Sequence, residues 1–501
     1  MKRLAWAAAG LSIALHLCVS KGNPPGLIED DSVNILLARS LAGGAFALPD
    51  AGGVAITDPL PGLPLLLLPA AALAQPHWGW LRGVSLTALA AALLFAWRLT
   101  RKLGADAGPW IFGLIAVNPT LARHAGLVLA DIPFLAFCLA VFDGLVFPGK
   151  RPSLGRLAAL AGGAAAASLM RPQGFLLIPA AALGLARSIG ARRAMLWSAA
   201  AGLPLAGWLL RNAAVAGEPT AYASHWFSQA AFLADPGAAM RHAAALCRSL
   251  LGEGRLGWSG RGGALLGLAG LLAAGRGAFL LRRASNPEGG AGLAMAAFAA
   301  LYLALHLTWG PAPARYALPL VPVLWILAAT GTAGLPLSGA RGPAVAALAC
   351  IALISAADLA QRGIGRPAAF QPATMEWIRS QTLPQARWQS LRFNALILWT
   401  GRTALPPPLD AGTAASWRDA AARDGVEYAL VEDSFTPGGY LPAGVQALAR
   451  GIPVWAREFG REIYRNKEEG TTLFRLGTPD ASADGRPNRA NISGSRPAVR
   501  P

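Results

Sequence analysis

Apolar runs of membrane-crossing length recur through the first 357 residues, separated by short polar turns. A helix that crosses a bilayer needs roughly 20 apolar residues. The pattern predicts spans over 4–20, 81–99, 108–121, 128–147, 155–170, 173–189, 195–210, 263–280, 291–308, 317–335 and 343–357, about eleven helices in all. Residues 59–74 are apolar too, but are predicted to lie on or dip into the outer surface. Residues 31–46 read as an amphipathic helix at that same surface. After Ile354 the pattern changes. PATMEWIRSQTLPQ (372–385) has apolar positions at helical spacing. LRFNALILWTGR (391–402) reads as a strand leading into a turn, and Glu427–Glu432 as a short strand. The predicted fold class is therefore a polytopic α-helical membrane protein with a small C-terminal α/β domain. The membrane domain covers 1–358, with an outer loop at 21–80, and the α/β domain covers 359–476. Residues 477–501, rich in Pro, Gly, Ser and Arg, read as a disordered tail.

Composition agrees with a membrane protein. Charged residues make up 14% of the 501 and hydrophobic ones 54%, with a mean hydropathy of +0.43, whereas soluble domains carry about 25% charged residues. The net charge of +18 suits loops facing the cytoplasm. Nucleic acid is excluded as a partner, since no basic patch interleaves with aromatics. The basic clusters are Arg98/Arg101/Lys102, Lys150/Arg151/Arg156, Arg187/Arg192/Arg193, Arg276/Arg282/Arg283 and Arg341. They fall in every second loop, and the intervening loops hold the acids. This alternation predicts a cytoplasmic N-terminus and a periplasmic C-terminal domain; counting 59–74 as a full span would break it. The N-terminus has the basic start and apolar run of a signal peptide, and is read as an uncleaved first helix. The Ala/Gly/Arg/Pro bias points to a bacterial inner membrane. Of the four cysteines, Cys18, Cys138 and Cys350 fall in apolar segments and no CxxC pair occurs, so neither a disulfide framework nor a zinc site is expected.

The polar residues that stand out collect in the predicted outer loops. Glu29, Asp30 and Asp31 follow the first span. Asp58 precedes the apolar re-entry and, before Pro59, reads as a turn residue. His124 and Asp131 flank the turn in NPTLARHAGLVLADIPF. Arg171 ends a span in SLMRPQGF, Arg211 ends another in GWLLRN, and Arg315-Tyr316 opens one in PARYALPLVP. Acids can deprotonate a hydroxyl or hold a metal, and arginines bind phosphate through paired hydrogen bonds. Each residue also has a plain structural role: acids cap helix starts, and arginines anchor helix ends at headgroups. His225-Trp226 is a candidate for stacking a sugar.

EDDSVNILLARSLAGG followed by DPLPGLPLLLLPAAAL resembles the first outer loop of the polyprenyl-phosphate-dependent GT-C glycosyltransferases. NPTLARHAGLVLADIPF resembles their second acidic motif, and MRPQGFLLIP, GWLLRNAAVAGEP and PARYALPLVP resemble later landmarks, together spanning residues 1–357. The nearest group is the protein O-mannosyltransferase and lipid A aminoarabinose transferase branch. Asn34 stands where such loops often carry Tyr. The resemblance implies inverting transfer of a sugar from a polyprenyl-phosphate donor at the membrane edge. It implies an acid of the first loop as base, Asp31 with Asp30 as close competitor. Asp131 and His124 are then candidates to hold acceptor or metal, and Arg315, Arg211, Arg171 and Tyr316 to bind the lipid phosphate. A divalent cation is compatible with these acids, but no ligand spacing demands one, so no cofactor is assigned; the acceptor is a glycan, a lipid or a protein. The rival readings are a flippase for a lipid-linked sugar and a non-catalytic membrane scaffold. Against the flippase, almost no ionisable residue lies in mid-span, where coupling sites belong.

Overall fold

The computed structural model describes residues 29–48, 56–71, 78–103, 108–147, 151–217, 261–283, 287–308, 314–332, 371–408, 411–432 and 443–477, with a few isolated positions in 7–17 and 235–243. The chain divides into two compact units, Met1–Phe370 and Gln371–Pro501. The predicted spans 4–20 and 343–357 and the His225-Trp226 pair lie outside the described residues.

The first unit is a bundle of helices: α1 Glu29–Ala42, α2 Gly62–Ala71, α3 Trp78–Leu103, α4 Gly108–Ala116, α5 Pro119–Ala125, α6 Asp131–Leu145, α7 Leu154–Met170, α8 Leu177–Ile189, α9 Ala191–Ala216, α10 Arg261–Arg283, α11 Pro287–Thr308 and α12 Leu320–Thr332. Among the described residues α3 and α11 are long and apolar enough to cross a membrane, and α2, α7 and α12 are shorter apolar helices. At 1.5 Å per residue α3 extends about 39 Å, more than the roughly 30 Å of a hydrocarbon core.

Two predicted elements come out differently. The expected span over 108–121 is two short helices. Pro119 cannot continue α4, and the Asn118 side chain accepts from the Thr120 and Leu121 amides at 3.0 and 3.1 Å, starting α5. The segment 31–46 is a helix only to Ala42 and has more than one buried side: Asp31, Ser32 and every residue from Asn34 to Ala38 are buried. The cause is α2, which packs along it.

Close backbone approach fixes the rest of the bundle. The pair α10 and α12 touches through Gly277 and Gly331: a Cβ at Gly277 would run into the Leu327 carbonyl oxygen, and one at Gly331 into that of Ala273. Small residues at a crossing let two helices gain dispersion contacts that lipid cannot offer. A Cβ at Gly62 would likewise sit 2.5 Å from the Leu169 carbonyl oxygen, so the start of α2 lies against the end of α7.

The second unit is a five-stranded mixed sheet with helices: α13 Pro372–Gln381, β1 Arg387–Gln389, α14 Phe393–Thr400, β2 Thr403–Leu405, α15 Ala414–Arg423, β3 Tyr428–Glu432, α16 Ala443–Phe459, β4 Gly460–Asn466 and β5 Thr471–Leu476. The strand order is β2-β1-β3-β5-β4. Strand β1 runs parallel to β2 and β3, and β5 runs antiparallel to β3 and β4. Ala429 and Val431 pack with Trp417, Leu448, Ile452, Ala456 and Phe474. Alternation along β3 sends Glu432 to the opposite face, where it accepts from Gln371 Nε2 at 2.5 Å and pairs with Arg392 at 3.2 Å. The strand expected over 391–402 is instead helix α14. Its apolar run has no period-2 break, and Gly401, at φ 67°, ends it with its amide on the Ile397 carbonyl.

Candidate active site

Five separate stretches of the first unit meet around a cavity of about 390 Å³. Helix α1 supplies Asp30 and Asn34, and the loop before α2 supplies Asp58. The start of α6 supplies Asp131. The turn between α7 and α8 supplies Arg171 and Gln173, and the turn before α12 supplies Arg315 and Tyr316. Apart from Asn34, inside α1, and Asp58, in a loop, these polar side chains sit at helix ends or in the turns beside them.

The site is organised around the Tyr316 ring. The Arg171 guanidinium lies 4.7 Å and that of Arg315 5.2 Å from its centroid. Such cation–π contacts hold a guanidinium plane without consuming its N–H donors. The His306 ring stacks on Tyr316 at 5.5 Å and 23°, and Tyr302 follows His306 at 4.5 Å. Each arginine also has a carboxylate. Arg171 pairs with Asp131, both nearly buried, and Arg315 Nη1 reaches Asp30 Oδ2 at 2.7 Å. The second pair is more open, with the Asp30 side chain 52% exposed. Burial works against the charge on Arg315, but Asp30, Asp131 and Tyr316 more than offset it and hold the guanidinium above its ordinary range.

Five of the eight residues expected from the sequence therefore line one cavity: Asp30, Asp131, Arg171, Arg315 and Tyr316. The other three lie outside its wall. Asp31 is fully buried in α1. His124 is buried with Nδ1 2.8 Å from the Thr120 carbonyl oxygen of its own helix. Arg211 donates to the carbonyls of Ile56 at 2.8 Å and Phe46 at 3.2 Å, packs on Trp208, and has Asn212 beside it bonded to the Thr57 carbonyl. It thus clamps to α9 the loop that carries Asp58. Asp58, expected as a turn residue only, stands in the wall itself.

Gln173, Tyr302 and His306 had no role assigned from the sequence. For Gln173 the available signal is its place two residues after Arg171 in MRPQGF. His306 and Tyr302 are polar rings four residues apart near the end of an apolar helix, a spacing that puts them on one face. Among the described residues no group of three His, Cys, Asp or Glu side chains is arranged to hold a metal ion. The positive charge in the cavity wall comes from arginine.

This arrangement sits on a fold already known. ArnT from Cupriavidus metallidurans, in a crystal structure bound to undecaprenyl phosphate, is similar with a TM-score of 0.60 and 12% identity, over 96% of this chain and 99% of that one. Its apo state gives 0.57 and 14% over 95% and 99%. The Archaeoglobus fulgidus oligosaccharyltransferase, tethered with an acceptor peptide, gives 0.55 and 13% over 94% of this chain and 74% of that one. At these identities the likeness is one of fold. No family model and no curated protein matches the sequence.

Proposed function

We propose that this chain is an integral-membrane inverting glycosyltransferase that moves a sugar from a polyprenyl-phosphate donor to an acceptor on the periplasmic side. The observation that carries this is the cavity in which an accessible carboxylate, Asp30, and two arginines held on one tyrosine ring share a wall. ArnT binds undecaprenyl phosphate on the same fold, which supports a lipid-phosphate donor here. The basic clusters in alternate loops support about eleven spans with the N-terminus inside.

In the proposed reaction the donor phosphate takes Arg315, whose pair with Asp30 is the more open of the two. Asp30, released, accepts the proton of the acceptor hydroxyl. The acceptor oxygen attacks the anomeric carbon from the face opposite the phosphate and forms the new glycosidic bond. The bond from that carbon to the phosphate oxygen breaks, and its electron pair leaves on the lipid phosphate. Arg315 stabilises the charge that develops there. Asp131 keeps Arg171 charged and in place beside the same ring. Asp31, enclosed within α1, is the alternative base only if the helix opens.

The test is sugar release from radiolabelled polyprenyl-phosphate sugars by detergent-purified protein, comparing wild type, Asp30→Asn and Asp31→Asn. Wild type turns over one donor without vesicles, which a flippase does not, and Asp30→Asn loses about 10²- to 10⁴-fold, the range of a general base. Loss in Asp31→Asn with activity kept in Asp30→Asn moves the base to Asp31. Absence of turnover with every donor refutes the enzyme.

A further inference from the structure

Arg171 and Arg315 each have a carboxylate partner, Asp131 and Asp30. Gln173 does not fit that scheme: it is 4% exposed and lines the cavity, yet its Oε1 has no hydrogen-bond partner. A buried carboxamide with an unmade bond is costly, and native folds keep such groups chiefly where a ligand or water completes them. The backbone that presents this side chain to the cavity is held on both sides. Pro172 fixes φ before it. Gly174 after it donates to the Arg171 carbonyl at 2.8 Å, and a Cβ there would strike the Ala167 carbonyl oxygen.

The chemistry of the missing partner is restricted. A phosphate only accepts, and two arginines already answer it. An ammonium only donates, and three aspartates already answer that. The unpartnered end is the acceptor Oε1, and the group a sugar offers in greatest number to donate to it, while also able to accept from a carboxamide N–H, is a hydroxyl. We propose that Gln173 is a specificity-determining residue that reads one hydroxyl of the transferred sugar. This rests on the cavity being the donor site.

The experiment uses the full chain in detergent with a panel of polyprenyl-phosphate hexoses and their monodeoxy analogues at C2, C3, C4 and C6. Wild type is expected to prefer the hydroxylated donor over one deoxy analogue by about 10-fold or more in kcat/KM. In Gln173→Leu that preference falls to within about 2-fold, while discrimination at the other positions persists. Gln173→Asn, which retains the carboxamide one methylene shorter, lowers the preference at the same position by less than the leucine variant does, and serves as the readout if the leucine variant fails to fold. Equal loss on every donor, deoxy ones included, overturns the proposal in favour of a structural carboxamide or one satisfied by trapped water. So does full retention of the preference. Wild-type inactivity on every donor overturns the donor site itself and Gln173 with it, an outcome distinct from an active enzyme indifferent to Gln173.

Discussion

Two ion pairs meet at one tyrosine, and they are predicted to differ sharply in what they contribute to stability. In the Asp131–Arg171 pair the side chains are 4% and 11% exposed, whereas in the Asp30–Arg315 pair they are 52% and 22% exposed. Removing one partner of a buried pair costs about 3–5 kcal/mol, because the other charge is left desolvated. Arg171 keeps the Tyr316 face, which returns about 0.5–2 kcal/mol. Asp131→Asn is therefore expected to destabilise by about 2–4 kcal/mol. Asp30→Asn leaves Arg315 beside an open cavity and is expected to cost about 1 kcal/mol or less. The assay is reversible unfolding of the detergent-purified protein for both variants, with Arg171→Met and the Asp131→Asn/Arg171→Met double variant completing a cycle. The double variant should cost less than the sum of the singles by about 0.5–3 kcal/mol, since no orphan charge remains. An Asp131→Asn cost below about 0.5 kcal/mol, an equal cost for Asp30→Asn, or strict additivity would each refute the reasoning.

Arg315→Lys keeps the charge but loses the planar fork and the stacking on Tyr316. It should raise KM for the lipid-phosphate donor and lower kcat, where an unchanged profile would argue against a phosphate contact. Gly277→Leu places a side chain against the Leu327 backbone and should destabilise the first unit by about 1–3 kcal/mol or more, read as accelerated unfolding in detergent; a neutral result would mean that α10 and α12 do not cross there. Burial pushes the Glu432 carboxyl above its ordinary range, with Arg392 and Gln371 opposing the shift. A raised folded-state value means that its stabilising contribution is complete below the unfolded value of about 4.3 and is lost as pH rises through the folded one. Glu432→Gln should therefore gain on wild type as pH rises above about 4.3, measured by tryptophan fluorescence during unfolding; a difference that stays flat or shrinks with pH contradicts it.

Much of the scaffold was legible because burial in lipid leaves a strong one-dimensional signal. The runs that became α3, α7, α9, α10 and α11 needed only length and apolarity. The errors fell where that signal is shared by two structures. Residues 395–399 are apolar throughout, so period alone does not separate helix from strand, and Gly401 was the deciding mark. The 108–121 run hid the break at Asn118-Pro119.

The sequence by itself determined which residues of the site are charged and that they fall at helix ends, because a charge in mid-span is expensive. The order of six short stretches also pointed to the fold that the solved structures share. The sequence did not determine which of two adjacent aspartates opens to the cavity. One step of 100° around α1 separates Asp30, half-exposed, from Asp31, fully buried, and which face turns inward is set by α2. Nor did it distinguish Arg211, spent on the carbonyls of Ile56 and Phe46, from Arg315, which faces a carboxylate. Asp58 stood out in the sequence, read as a turn before Pro59, and Gln173 did not; both took their place in the cavity wall only once Gly62 and Gly174 had brought backbones into contact. Side-chain identity is local, but a cavity belongs to the packing of segments more than a hundred residues apart, and only the tertiary structure decides that.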